Sequence, residues 1–204
     1  MLELLVFATF APGAIEEIVV TSARRGMPLV EHTGNVAALD ASEIDAVGHA
    51  HVHELLTRVP GVFVMRGSGQ ESLPSMRSPV LTGAGSCGAF LTLENGIAIR
   101  PTGFCNVNQL FELPTELARR IEVIRGPSSA LYGSNGLHGM INVLLPDAAN
   151  DVDSLSLELG ANDFWRVAAD AALPGVAGTR FGFVHADDGG FRDDSGYRQS
   201  KAFV

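Results

Sequence analysis

The sequence predicts an α+β fold, a small mixed sheet with short helices, followed by a run of antiparallel strands. Three observations predict it. Residues 40 to 145 interleave short helical and short strand-like segments. An Asn95-Gly96 pair sits between two apolar runs, the signature of a tight hairpin. Beyond Pro146 the pattern changes to longer alternating segments separated by turn residues. With 204 residues, 46% of them apolar and 18% charged, the chain can bury a core, which excludes wholesale disorder.

The charge balance narrows the function classes. Fourteen basic against 23 acidic residues give a net charge of -9, which argues against binding a phosphate backbone, so no nucleic acid is expected as a partner. Two cysteines are too few for a disulfide scaffold or a four-cysteine zinc site. The sequence has no apolar run of 18 residues and hence no expected transmembrane helix, a test to which membrane strands are invisible.

From the N-terminus, Leu4 to Phe10 is a largely apolar run followed by Ala11-Pro12-Gly13-Ala14, so residues 1–15 read as the remnant of a signal peptide whose basic leader is missing. Glu16 to Ser22 is β-prone, with no partner strand adjacent in sequence, and Arg24 to Pro28 ends it. Ser42, with Asp45 three residues later, is expected to cap a helix whose buried stripe is Ile44, Val47, His51, Leu55 and Val59, stopped by Pro60-Gly61. Val62 to Met65 reads as a strand, Arg66 to Gly88 as a polar, glycine-rich stretch. Ala89 to Leu93 and Ile97 to Arg100 form the hairpin about Asn95-Gly96. A loop from Pro101 to Leu110, a short helix from Pro114 to Arg119, a strand at Ile121 to Ile124, a helical turn at Ser128 to Tyr132 and a strand at Gly139 to Leu144 complete the α+β part. Residues 147–153 read as an acidic linker. Alternating segments then begin at Leu155, Phe164, Thr179 and Tyr197, with turns at Asn162-Asp163, Pro174-Gly175 and Asp188-Gly189-Gly190.

His49, His51 and His53 form the one run with metal-ligand spacing, and a metal-dependent hydrolase using them is the alternative function from a different class. The run falls inside the expected helix with no cysteine nearby, so it reads as helix surface, and no metal or cofactor is assigned. No Gly-x-Ser-x-Gly motif is present, and the Gly67-Ser68-Gly69 and Gly83-Ala84-Gly85 stretches lack the strand-to-helix setting of a phosphate loop. The chain is therefore not read as an enzyme.

Four segments, in order, resemble the plug domain of TonB-dependent outer-membrane receptors. Glu17-Ile18-Val19-Val20-Thr21 resembles the TonB box, the family's coupling segment. Glu54-Leu55-Leu56 with Val59-Pro60-Gly61-Val62 resembles its helix-to-strand junction. The stretch from Arg120 to Gly133, including Arg125, Gly126, Pro127, Tyr132 and Gly133, resembles its most diagnostic motif. Gly139 to Val143 resembles its closing strand. The resemblance implies a flexible coupling segment at 16–28, a plug domain at 29–146, and at 154–204 the start of an incomplete outer-membrane β-barrel, since four strands leave edges that lipid cannot satisfy. It further implies gated, energy-coupled nutrient uptake in the Gram-negative outer membrane, a ferric siderophore as the commonest cargo, a TonB-type protein as partner, and a plug facing the periplasm. A free periplasmic ligand-binding module is the third reading.

Two expectations concern the ligand side. Cys87 and Cys105 lie nearly symmetric about the Asn95-Gly96 turn. A disulfide in an oxidising envelope would close a loop worth about 3 kcal/mol, two unrelated buried thiols being the alternative. If the hairpin turn faces the periplasm, Arg100, Phe104, Asn106 and Asn108, with Arg77, become candidates for contacting ligand.

Overall fold

In the computed structural model, which describes residues 19–21, 24–67, 69–78, 90–99 and 109–204, a five-stranded mixed sheet organises the first part of the chain. Its spatial order is β3 (Val36–Asp40), β8 (Arg120–Arg125), β9 (Gly139–Leu144), β6 (Phe90–Glu94) and β7 (Ile97–Ala98). All neighbours are antiparallel except β6 and β9, which run parallel. The expected hairpin is present. Asn95 and Gly96 take φ of 49° and 80°, the left-handed pair that a tight turn between twisted strands demands.

Both faces of this sheet are covered. Ile121, Val123, Ile141 and Val143 face a core completed by Ile44, Val52, Leu55, Leu56, Val59, Val62 and Val64. On the other face Leu91, Leu93, Ile124 and Met140 pack with Tyr132. Sequestering each such large aliphatic side chain from water is worth roughly 1.5–3 kcal/mol. Every residue of β9 is buried, as befits a central strand without a wet side.

Three local expectations need correction. The single helix from Ser42 is two helices, α1 (Ala41–Val47) and α2 (Val52–Leu56). Gly48 sits in the left-handed region and closes α1, its N–H donating to the Ile44 carbonyl, while the His51 ring accepts from His53 N–H and starts α2. The true cap of α1 is Asp40, whose carboxylate accepts from Glu43 N–H while the Glu43 side chain accepts from Asp40 N–H. The glycine-rich stretch also contains β5 (Ser72–Met76), paired antiparallel with β4 (Val62–Arg66). Finally, the β-prone N-terminal segment has a partner after all: β1 (Val19–Val20) pairs with β2 (Met27–Pro28). A two-residue ladder ending in proline carries too little periodicity to be read locally.

After α3 (Gln109–Glu112), β8 and β9, the linker turns on Asp147, whose carboxylate accepts from Ala149 and Asn150 N–H. Four antiparallel strands follow in meander order: β10 (Ser154–Leu159), β11 (Trp165–Ala172), β12 (Arg180–Asp188) and β13 (Tyr197–Phe203). The positive φ values at Asn162, Asp163, Gly175 and Gly190 lie in the expected turns. The sheet is open, with β10 and β13 at its edges. Leu155, Leu157, Leu159, Trp165, Phe181 and Phe183 point away from the first domain and are exposed, whereas Arg166, Ala168, Asp170, Arg180, Val184 and Ala186 point toward it and are buried.

Candidate functional site

Pleating sends Ile121 and Val123 to one face of β8 and Glu122 and Ile124 to the other. On β9 the same alternation places Asn142 beside Met140, directly opposite Glu122. Glu122 and Asn142 are both fully buried. A carboxylate in an apolar layer is expensive unless it is hydrogen-bonded, and here the N-terminal segment satisfies it. Thr21 N–H donates to the Glu122 carboxylate, 2.9 Å from both oxygens, and the Thr21 hydroxyl donates to it at 2.9 Å. Arg120 adds an ion pair at 2.9 Å.

The rest of Thr21 is held as well. The Tyr132 hydroxyl donates to its carbonyl at 2.7 Å, and Arg24 N–H donates to the same oxygen at 2.8 Å. Asn142 donates to the Thr21 hydroxyl at 3.4 Å and accepts from Gly96 N–H at 2.9 Å, joining the segment to the hairpin turn. Burial pushes the Tyr132 phenol up, which keeps it a neutral donor. Arg24 places its guanidinium 4.9 Å from the Tyr132 ring centre. A cavity of about 600 Å³ opens beside this dock, lined by Thr21, Arg24, Arg25, Gly96, Arg119 and Tyr132 among others.

The sequence-predicted residues distribute as follows. Of the TonB-box-like residues, Glu17 and Ile18 lie outside the described residues, while Val19, Val20 and Thr21 are in place, with Val20 buried. Where a flexible strand is expected, the structure shows its last residues docked. Arg125, Gly126, Pro127, Tyr132 and Gly133 form the turn leaving β8, with Gly126 and Gly133 at φ of 113° and 88°. That turn delivers Tyr132 to Thr21. Glu122 and Asn142 are absent from the sequence-derived candidates, although a carboxylate within Ile121-Glu122-Val123-Ile124 and an amide within Met140-Ile141-Asn142-Val143 are the polar interruptions that mark a buried site.

Cys87, Cys105, Arg100, Phe104, Asn106 and Asn108 lie outside the described residues. Arg77 is described, with φ of 52°, and its side chain lies against Gly61. Arg125 donates to the Pro60 carbonyl at 2.7 Å, and burial followed by the nearby Arg77 charge lowers its pKa. These two arginines lie at the end of the sheet where β6 begins, opposite the end that holds Thr21.

The histidine run is not helix surface. His49 and His51 are buried, and the ring nitrogens diverge to structural partners. His49 Nε2 meets the Thr115 hydroxyl at 3.0 Å, His51 Nε2 meets the Glu71 carbonyl at 3.2 Å, and His53 Nδ1 meets the Val64 carbonyl at 2.6 Å. Among the described residues no group of three or more His, Cys, Asp or Glu is arranged to hold a metal ion. His49 instead belongs to the seam between the first domain and the four-stranded sheet. Arg166 donates to its carbonyl at 2.5 Å and pairs with Glu158 at 2.6 Å, while Lys201 pairs with buried Glu116 at 2.8 Å. Burial lowers the His49 pKa to about 4, against the opposing pull of Glu116. Burial pushes the Glu116 carboxyl up, but the Lys201 ammonium and His49 outweigh it and hold it below its usual range.

Solved structures share this architecture at low identity. The alcaligin outer membrane receptor FauA from Bordetella pertussis matches with a TM-score of 0.67 at 16% identity, over 89% of this chain and 30% of that one. The pyoverdine outer membrane receptor FpvA from Pseudomonas aeruginosa PAO1 matches at 0.63 and 16%, over 83% and 24%. The ferric yersiniabactin uptake receptor FyuA from Yersinia pestis matches at 0.56 and 18%, over 76% and 24%. The chain thus spans between a fifth and a third of the length of these receptors. Residues 28–140 match the family model described as the TonB-dependent receptor plug domain. The first domain is a plug, the open sheet is the beginning of a barrel wall, and the chain belongs to the TonB-dependent receptors.

Proposed function

We propose that this chain is the gating and ligand-binding part of an energy-coupled outer-membrane receptor for a scarce nutrient, with a ferric siderophore as cargo. The observation that carries the transport reading is the pairing of a plug with a wall segment that grips it by charge while presenting leucine, tryptophan and phenylalanine outward, the polarity a membrane barrel requires. A structural neighbour described as a ferric yersiniabactin uptake receptor supports the ferric cargo. Glu17 to Thr21 receive a TonB-type protein by strand addition in the periplasm, where backbone hydrogen bonds supply the affinity of a short apolar segment. The loops bearing Arg100, Phe104, Asn106 and Asn108, with Arg77 nearby, then face outward toward ligand, and Cys87 and Cys105 close that end as a disulfide.

The test is transport of a ferric siderophore by the complete receptor carrying Val19→Pro. Proline removes an N–H and resists strand addition. Uptake is expected to be abolished while ligand binding stays intact. Undiminished uptake in that variant removes the coupling assignment.

A further inference from the structure

The outward face of the wall is not a uniform apolar band. Leu155 on β10 stands beside Ala169 on β11, and Phe181 on β12 stands beside Ala171. Strand alternation puts all four on the outward side. Two small side chains between two large ones leave a furrow of about 310 Å³ along β11, with Leu173 at one end and Asp153 on its rim. A second cavity of about 420 Å³ shares Leu173 and lies against the β11–β12 turn. The wall faces hydrocarbon, and an unfilled furrow forfeits dispersion contacts along its lining, so a chain of methylenes is the occupant that suits it.

The rim selects a headgroup by charge. Among the described residues, the ionisable side chains lining the two cavities are carboxylates, Asp153 and Asp170, and no lysine or arginine lines either. Asp170 is buried and held by Arg180 and Ser154. Asp153 is 64% exposed, accepts from Ala172 N–H at 2.9 Å and lies 3.5 Å from the same Arg180 guanidinium. Arg180 also donates to the Asp151 and Val152 carbonyls, so one buried cation is shared between two carboxylates. The uncompensated negative charge is left at the exposed one. An ammonium complements it there, whereas a headgroup of net negative charge is repelled. Asp153 precedes β10 at the end of the sheet where the linker enters, and Ala169 lies further along the apolar band. Headgroup and acyl chain thus have places in the order a membrane requires.

We propose that the furrow over Ala169 and Ala171 is a phospholipid site, in which an acyl chain lies along β11 and a headgroup ammonium pairs with Asp153, so that the wall takes an ethanolamine lipid in preference to an anionic glycerol lipid. The inference rests on the outward polarity of the wall and is independent of cargo and coupling.

The experiment is native mass spectrometry of the 204-residue chain released from detergent micelles holding equal amounts of phosphatidylethanolamine and phosphatidylglycerol with the same acyl chains. The ethanolamine lipid is expected to be retained about fivefold more often, the yield of one partly exposed ion pair. Ala169→Leu fills the furrow and should remove retention of both lipids. Asp153→Asn keeps the acceptor for Ala172 N–H but loses the charge, and should retain the two lipids equally. Equal retention by the parent, or a preference for the glycerol lipid, overturns the proposal. Undiminished retention in Ala169→Leu places the lipid elsewhere and overturns it too, as does a lipid-free monomer or a lipid-free dimer in which a second copy covers the furrow. Should Asp153→Asn lose its β-sheet circular dichroism, the salt dependence of the parent decides. An ion pair weakens as ionic strength rises, so a preference that persists in high salt removes Asp153 as its cause and with it the proposal.

Discussion

The plug sheet, with strands of 2 to 6 residues, and the wall sheet, with strands of 6 to 9, bury their apolar side chains in opposite senses. In the plug, β8 and β9 carry aliphatic residues on both faces, and the polar residues inside them, Glu122 and Asn142, are hydrogen-bonded to Thr21. In the wall, charged and small residues face the protein while Leu155, Leu157, Leu159, Trp165, Phe181 and Phe183 face out. Gly182 shows how close the inward packing is, since a Cβ there would lie 2.0 Å from the Phe203 ring. The difference teaches that alternation alone does not say which face is inside. The surrounding solvent decides, and for a barrel wall the outer solvent is hydrocarbon.

The largest effect expected from this contrast is on solubility. A chain ending at Leu145 keeps both plug layers and should be monodisperse in plain buffer. The 204-residue chain exposes the outward apolar band and two open strand edges, and should aggregate unless detergent is present. Sedimentation with circular dichroism on both chains checks this. A monodisperse 204-residue protein in buffer would mean that the outward band has found cover within the protein itself.

The seam between the two regions supplies the next test. Lys201→Met leaves the Glu116 carboxylate buried without its ammonium partner, which should cost on the order of 3–5 kcal/mol. Leu157→Ala, on the outward face, should leave thermal unfolding in detergent nearly unchanged beside it. Equal effects from the two variants would erase the distinction between a gripped face and a lipid face.

Acid should act on the same seam more gently. The folded pKa of His49, about 4, lies below the ordinary histidine value of 6.5. Its neutral form is therefore the one the fold accepts. The stability tied to that neutrality is fully present above pH 6.5 and is lost as the pH falls toward 4, amounting to at most about 3 kcal/mol. Thermal unfolding of the 204-residue chain in detergent from pH 7 to pH 4 should show this loss, and His49→Gln should flatten it. A profile unchanged by that substitution would place the acid sensitivity elsewhere.

Much of the plug was legible because it is written locally. Ile121 to Ile124 and Gly139 to Leu144 are largely apolar runs, each followed within three residues by proline, and Asn95-Gly96 names its own turn. The helix reading failed at Gly48 for a local reason as well. The stripe from Ile44 to Val59 keeps its spacing across the break, so periodicity hides a glycine that stops one helix before a histidine starts the next. The histidines were misplaced because their partners, Thr115 and Arg166 for His49 and the Glu71 carbonyl for His51, meet them only in the folded chain.

By itself, then, the sequence determined the longer strands, their turns and the order of the family's segments, though not β2 or β5, since propensity and turn chemistry act over a few neighbouring residues. The tertiary structure alone decided which face of each strand is covered, that Val19 and Val20 gain β2 as a partner, and that Glu122 closes on Thr21. That last contact joins positions 101 residues apart. No periodicity spans such a separation, and a buried carboxylate on β8 creates a demand for donors without naming which distant segment will supply them.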